Sequence, residues 1–200
     1  MTLPPLADRV APIARALAGA NVPHAFGGAL ALNCYAEPRT TTDIDINIFL
    51  PETEARRILG LLHGAGVPVD EDMQSRLIER DGQTRLWWGE TAVDLFFANM
   101  PFLDMAGERA VTGHLEGIPI PILSAEDIAV CKAMFNRDKD WIDLRMLVLE
   151  QQEQLDTQYI LGWLDEMVGP EDTRSTDFRK LLAAVGPNSP GSANLDAFER

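Results

Sequence analysis

Residues 24–50 read HAFGGALALNCYAEPRTTTDIDINIFL, and they place two aspartates, Asp43 and Asp45, inside a run of isoleucine, phenylalanine and leucine. The alternation over residues 43–50 predicts a β-strand. Side chains two apart on a strand share a face, so Asp43, Asp45 and Asn47 point one way and the isoleucines between them point the other. We expect the isoleucine side to pack on a core, which leaves two carboxylates together on the opposite face.

Two carboxylates this close repel each other unless a cation relieves the charge. Mg²⁺ prefers oxygen ligands and is commonly held by one or two carboxylates together with substrate phosphates. The alternative is a solvated polar face on an edge strand. Aspartate is disfavoured in strands, so two of them at this spacing call for an explanation.

Gly27 and Gly28 stand between a predicted strand, residues 22–26, and a predicted short helix, residues 29–35. A glycine pair at this position lets backbone N–H groups approach a phosphate, and the helix N-terminus adds a favourable dipole. The alternative is a tight turn that requires glycine for conformational reasons alone. A phosphate cradle and a carboxylate pair on the next strand would converge on one polyphosphate.

The bulk composition suits one globular domain, or a core domain with a small appendage, because 200 residues with 46% hydrophobic content can bury a real core. The formal charge of −14 argues against a general nucleic-acid binder. The chain shows neither a signal peptide nor an apolar run long enough to span a bilayer. We therefore expect a cytoplasmic protein with no membrane partner.

The remaining patterns predict an α/β N-terminal half followed by a helical C-terminal half. Further helices are predicted over residues 6–20, 52–64, 126–135, 139–150 and 157–167. A hairpin is predicted from residues 75–80 and 84–88 around Asp81-Gly82, with more strands at residues 91–98 and 118–123. The segment from Gly169, which includes GPNSPGSANL, is expected to be loosely ordered.

The stretch FGGALALNCYAEPRTTTDIDI resembles the signature of the nucleotidyltransferase superfamily typified by DNA polymerase β, and most closely that of small bacterial AbiEii-like nucleotidyltransferases. Several of those are toxins of toxin–antitoxin pairs. The resemblance implies an α/β (α+β) fold, with a mixed β-sheet flanked by helices and then a helical C-terminal part. The implied domains are a nucleotidyltransferase core at residues 1–123, a helical part at 124–168 and a loosely ordered tail at 169–200.

The superfamily carries a third carboxylate on a later strand, and TAVDLFFAN offers Asp94. Asp94 is the one acid in an otherwise apolar strand, so it needs a partner. One partner is a metal shared with Asp43 and Asp45. The alternative is a salt bridge to a base such as Arg39 or Arg85.

The stretch SAEDIAVCKAMFNRDKDWIDLRML resembles the AbiEii-like helical motif. By resemblance, Lys132 and Arg137 serve the nucleotide, while Asp140 and Asp143 orient them or meet the nucleotide themselves. The alternatives are an exposed Lys132 paired with Glu126 or Asp127, and a solvated helix face for the two aspartates. Arg39 either contacts phosphate or pairs with an acid.

The resemblance implies a nucleotidyltransferase that uses Mg²⁺, or Mn²⁺ in its place, to move a nucleoside monophosphate from a nucleoside triphosphate to an acceptor hydroxyl. Asp43, Asp45 and Asp94 hold the metal, and Gly27 and Gly28 seat the phosphates. The acceptor is tRNA or a protein, and the partner is a cognate antitoxin. The alternatives are an aminoglycoside-type or other small-molecule nucleotidyltransferase, and a catalytically silent binding module.

Overall fold

The computed structural model describes residues 6–186, which divide into two compact units. Residues 6–34 and 39–124 form the first unit, and residues 35–38 and 125–186 form the second. Within the described residues, no helix is both long and apolar enough to cross a membrane.

The first unit is built on a mixed six-stranded sheet with the order β3-β4-β2-β1-β6-β5. Its strands are β1 (His24–Phe26), β2 (Ile44–Ile48), β3 (Gln83–Trp88), β4 (Thr91–Phe97), β5 (Val111–Leu115) and β6 (Ile118–Ile122). The pairs β2·β4 and β1·β6 are parallel, and the remaining neighbours are antiparallel. The predicted mixed sheet is confirmed.

Strand β2 lies in the interior of the sheet, between β1 and β4. Ile44, Ile46 and Ile48 are fully buried, whereas Asp45 is half-buried on the other face. Strand alternation therefore separates the apolar and acidic sides as predicted. The edge-strand alternative is wrong, because β2 has a hydrogen-bonded neighbour on each side.

Helices flank the sheet of the first unit. They are α1 (Ala7–Gly19), α2 (Gly28–Leu32), α3 (Ala55–Gly64), α4 (Glu71–Asp81) and α5 (Pro101–Glu108), with a 3₁₀ turn at Glu52–Glu54 ahead of α3. The buried side chains of α1, among them Val10, Ile13 and Leu17, follow the predicted amphipathic spacing. Helix α5 and strand β5 were not predicted from the sequence.

The hairpin predicted around Asp81-Gly82 is wrong, because residues 71–81 are helical. Asp70 begins α4 by accepting a hydrogen bond from the Met73 N–H at 3.1 Å. Gly82 ends it in the left-handed region at φ 68°. An Asp-Gly pair suits a helix end as well as a hairpin turn, and here it serves the helix. Strand β3 instead pairs with β4.

The second unit contains four helices within the described residues, α6 (Ala125–Phe135), α7 (Asp138–Gln151), α8 (Thr157–Val168) and α9 (Thr173–Val185). The first three confirm the predicted helices. The expectation of a loosely ordered segment from Gly169 is wrong for α9, which Asp172 caps by accepting a hydrogen bond from the Arg174 N–H at 2.9 Å. Most of GPNSPGSANL lies outside the described residues.

Candidate active site

The acidic residues of the first unit are aligned by strand register. Asp45 of β2 is the Cα partner of Asp94 on β4, and Asp94 is in turn the partner of Arg85 on β3. Residues paired across neighbouring strands point to the same face. Asp43 precedes the first residue of β2 and is also half-buried. The sheet thus brings Asp45 and Asp94 together, and we call Asp43, Asp45 and Asp94 the acidic face.

The glycine pair packs directly against this face. The Gly27 N–H donates a hydrogen bond to the Asp45 carbonyl oxygen at 2.9 Å. Gly28 has a φ of 55°, and a Cβ at this position would overlap the Asp45 carboxylate. A Cβ on Gly27 would lie 2.8 Å from Asn47 Nδ2. Both glycines are therefore required for the approach of β2, a reason that the sequence did not reveal.

Asp94 pairs with Arg85, which is one of the two outcomes left open for it. Arg85 Nε lies 2.6 Å from Asp94 Oδ1, and Arg85 Nη2 lies 2.7 Å from Oδ2. The Asp94 side chain is 13% exposed and that of Arg85 is 51% exposed. Hydrogen bonding to Asp94 is the main cause that raises the pKa of Arg85, and the charges of Asp94, Asp43 and Asp45 raise it further. One guanidinium thus lies in the field of all three acids.

The acidic face has the donor chemistry of a divalent-metal site. Its side chains offer carboxylate oxygens, which Mg²⁺ and Mn²⁺ prefer as ligands, and the lack of a side chain at Gly28 makes room for the Asp45 carboxylate. No group of three or more His, Cys, Asp or Glu side chains within residues 6–186 already has a metal-binding arrangement. Both oxygens of Asp94 are engaged by Arg85 in this structure. The residues fit such a metal once Asp94 is released.

The second unit gathers Lys132, Arg137, Asp140 and Asp143 into a charged cluster. Lys132 Nζ lies 2.6 Å from Asp143 Oδ2 and 3.6 Å from Asp140 Oδ1. Arg137 Nε donates to Asp140 Oδ2 at 2.6 Å, and the same oxygen accepts from the Arg137 backbone N–H at 3.3 Å at the start of α7. Lys132, Asp140 and Asp143 are all buried.

This burial decides between the alternatives for α6 and α7. The exposed Lys132 of the alternative is wrong, because Lys132 is buried and forms ion pairs with Asp140 and Asp143. A solvated face for the two aspartates is wrong as well. Asp127 instead accepts a hydrogen bond from the Tyr159 hydroxyl at 2.7 Å.

The family model for the nucleotidyl transferase AbiEii toxin of type IV toxin–antitoxin systems matches residues 14–182 of the 200-residue chain. The chain belongs to this family. The AbiEii resemblance drawn from the sequence is therefore confirmed, and the protein is a nucleotidyltransferase of a toxin–antitoxin family. Comparison with curated proteins gave no significant match.

Solved structures with related folds include nucleotidyltransferases of antibiotic resistance. ANT(2'')-Ia in complex with adenylyl-2''-tobramycin matches with a TM-score of 0.50 and 16% identity, covering 86% of this chain and 95% of that chain. The lincosamide antibiotic adenylyltransferase LnuA, lincomycin-bound, gives a TM-score of 0.49 and 14% identity, covering 70% of this chain and 94% of that chain. At such low identity, the first of these supports the fold alone.

In this AbiEii-family chain, two further residues near the signature are fixed by local contacts. Asn33 Nδ2 donates a hydrogen bond to the Arg39 carbonyl oxygen at 2.9 Å, and Asn33 Oδ1 accepts one from the Arg39 N–H at 3.0 Å. These two bonds fix the backbone of the loop that precedes Asp43. His24 is buried, and its Nδ1 lies 2.8 Å from the Val22 carbonyl oxygen. Burial lowers the pKa of His24.

Sequence reasoning named Arg85 only as a possible partner of Asp94 and missed Asn33 altogether. Arg85 occupies an exposed position of β3, two residues from Trp87, and its guanidinium carbon lies 5.7 Å from the Trp87 ring centroid. The signal that could have found it is the alternation of TRLWW, which places Arg85 and Trp87 on one face of a strand.

Proposed function

We propose that this chain transfers a nucleoside monophosphate from a nucleoside triphosphate to an acceptor hydroxyl, with Mg²⁺ or Mn²⁺ as its metal. The observation that carries the proposal is the register of Asp45 with Asp94 on neighbouring parallel strands, with the Gly27-Gly28 backbone against Asp45. Asp43, Asp45 and Asp94 would hold the metal. When bound, the metal supplies charge stabilisation to the entering and leaving oxygens of an in-line displacement.

The residues of the chain bind and orient the reactants around this step. Since the Gly27 N–H is used within the sheet, Gly28 carries the backbone contact to the β- and γ-phosphates. The acceptor oxygen bonds to the α-phosphorus, the bond to pyrophosphate breaks, and the hydroxyl proton passes to the Asp94 carboxylate.

Arg39, which belongs to the same unit as the acidic face, would supply positive charge to the triphosphate. The ion pairs of Lys132 with Asp143 and of Arg137 with Asp140 support a positioning role for the two aspartates. Asp140 in particular is almost wholly buried, so it acts through the bases it holds rather than on the nucleotide directly.

As a member of a toxin family, the protein acts in the cytoplasm on tRNA or on a protein hydroxyl, and a cognate antitoxin restrains it. A second candidate acceptor is a cationic small molecule of the aminoglycoside type. The net charge of −14 favours this candidate, since an acidic surface attracts cations. A catalytically silent module is disfavoured, because Asp43, Asp45 and Asp94 are all present.

The test is incubation with α-phosphate-labelled nucleoside triphosphates and Mg²⁺ in separate reactions with total tRNA, a protein fraction and aminoglycosides. We expect label in the tRNA or protein fraction, and label in aminoglycosides would select the second candidate. Asp45→Asn should lower transfer by roughly 100-fold or more, since it removes a metal ligand. Asp81→Asn, which changes a surface aspartate paired with Arg80, should leave transfer intact. Undiminished transfer by Asp45→Asn, or no transfer to any acceptor, would overturn the proposal.

A further inference from the structure

Arg85 offsets the negative charge of the acidic face while no metal is bound. The acidic face combines Asp45 and Asp94 on neighbouring strands with Asp43 just before β2, and like charges held this close in the chain repel one another. Arg85 supplies the compensating charge, because its guanidinium is permanently protonated and engages both oxygens of Asp94.

We propose that Arg85 is a positioning residue that occupies Asp94 in place of the divalent cation and leaves it when the metal binds. The inference rests on the proposed function, since it assigns Asp94 to the metal. Two cations that share one carboxylate repel each other, and a guanidinium bound to both oxygens leaves the fewest lone pairs for a metal. Metal binding to Asp94 is therefore coupled to the release of Arg85.

The surroundings of Arg85 allow that release. The side chain is 51% exposed and stands on β3, the edge strand of the sheet, so its guanidinium can turn into solvent without opening the core. An ion pair with one partner so exposed is screened by water and is weakly held. By contrast, the Lys132–Asp143 pair, with both side chains less than a tenth exposed, has no such route.

Trp87 provides a second contact for the released guanidinium. Its indole is 56% exposed, and the Arg85 guanidinium carbon already lies 5.7 Å from the ring centroid. A cation over an indole face is attracted by the ring quadrupole. Arg85 thus retains a partner on its own strand when Asp94 turns to the metal.

The test is Mn²⁺ binding to the full chain without nucleotide, measured by electron paramagnetic resonance. Arg85→Gln should bind Mn²⁺ about tenfold more tightly than the wild type. Without the guanidinium, a larger fraction of the protein has the Asp94 carboxylate free to bind the metal. The matched control is Arg80→Gln, since Arg80 forms a similar two-contact pair with Asp81 on the surface, at 2.8 and 2.6 Å. That control should bind as the wild type does. Equal or weaker binding by Arg85→Gln would overturn the inference.

A second variant keeps the test decisive if Arg85→Gln folds poorly in the absence of metal. Arg85→Lys retains the charge but loses the two-contact geometry, so its Mn²⁺ affinity should fall between those of the wild type and Arg85→Gln. An affinity for Arg85→Lys no tighter than that of the wild type would also overturn the inference.

Asp45→Asn and Asp94→Asn distinguish this inference from the proposed function. If both variants lose Mn²⁺ binding while Arg85→Gln matches Arg80→Gln, the role of Arg85 is wrong and the metal site stands. If neither variant changes Mn²⁺ binding, the metal site is wrong and both proposals fall.

Discussion

Two acid–base pairs in this protein have the same closest contact and different surroundings. Arg85–Asp94 in the first unit and Lys132–Asp143 in the second both have a nitrogen–oxygen distance of 2.6 Å. Arg85 is half exposed, whereas Lys132 and Asp143 are less than a tenth exposed. Since the free energy of an ion pair depends on its solvation, equal distances here do not mean equal roles. Under the inference above, the first pair opens for a ligand, whereas the second is buried between α6 and α7.

The largest expected effect is on the buried pair. Lys132→Met leaves the Asp143 carboxylate buried without its ammonium partner, and removing one partner of a buried pair costs about 3–5 kcal/mol. Urea unfolding monitored by circular dichroism measures this free energy of unfolding. The control is Lys180→Met, since Lys180 pairs with Asp177 on the surface and its loss should have no measurable effect. Equal stability of the two variants would contradict the structural role of the buried pair.

The next effect concerns the glycine that faces Asp45. Gly28→Ala forces a side chain into the left-handed region, at a cost of about 1–2 kcal/mol, and also drives its Cβ into the Asp45 carboxylate. Gly117→Ala is the matched control, because Gly117 also has a positive φ, of 82°, but no atom lies within 4 Å of its added Cβ. Both variants should lose stability, and only Gly28→Ala should also lose nucleotidyl transfer. Full activity of Gly28→Ala would show that Asp45 has no fixed position.

A smaller effect is expected for the half-exposed pair. Arg85→Gln in metal-free buffer should lower the free energy of unfolding by less than about 1 kcal/mol, since solvent screens the Arg85 charge. Urea unfolding beside Lys132→Met compares the two pairs directly. If Arg85→Gln lost as much unfolding free energy as Lys132→Met, the exposed and the buried pair would not differ in their contribution to stability.

The smallest effect is a pH dependence at His24. Burial lowers the pKa of His24 in the folded chain, so below about pH 6.5 the unfolded chain binds a proton that the folded chain does not. The stability contribution of His24 is complete above that pH and is lost as the pH falls toward the lowered pKa. Unfolding free energies across this window should fall less steeply for His24→Asn than for the wild type. A wild-type slope for His24→Asn would contradict this expectation.

The facing of Asp43 and Asp45 could be predicted because it follows from local pattern, whereas the part played by Asp94 was expected from the family resemblance. The alternation of aspartate and isoleucine over a few residues predicts both the strand and the face to which each side chain points. The strand register in the structure then places Asp94 beside Asp45. The contact of Arg85 with Asp94 could not be predicted with equal certainty, since it depends on which strand pairs with β4. The hairpin error had made β3 the partner of residues that belong to α4.

The burial of Lys132 was the other feature that could not be predicted from the sequence. Residues 125–135 have almost no polar side, so periodicity alone does not say which way Lys132 points. The packing of α6 against α7 decides it, by bringing Lys132 to Asp143. Helix α9 was not predicted for a related reason. Its sequence is largely polar and buries only Ser175 and Phe178, so it shows no clear apolar stripe.

The overlap between a side chain at position 28 and the Asp45 carboxylate couples the two positions, so a substitution at one limits what the other can hold. A Cβ at position 28 would overlap the Asp45 carboxylate, so a side chain there displaces the group on which the proposed metal site depends. Under the proposed function, Gly28→Ala combined with Asp45→Gly is a design for an inactive form, because it removes the Asp45 carboxylate together with the overlap.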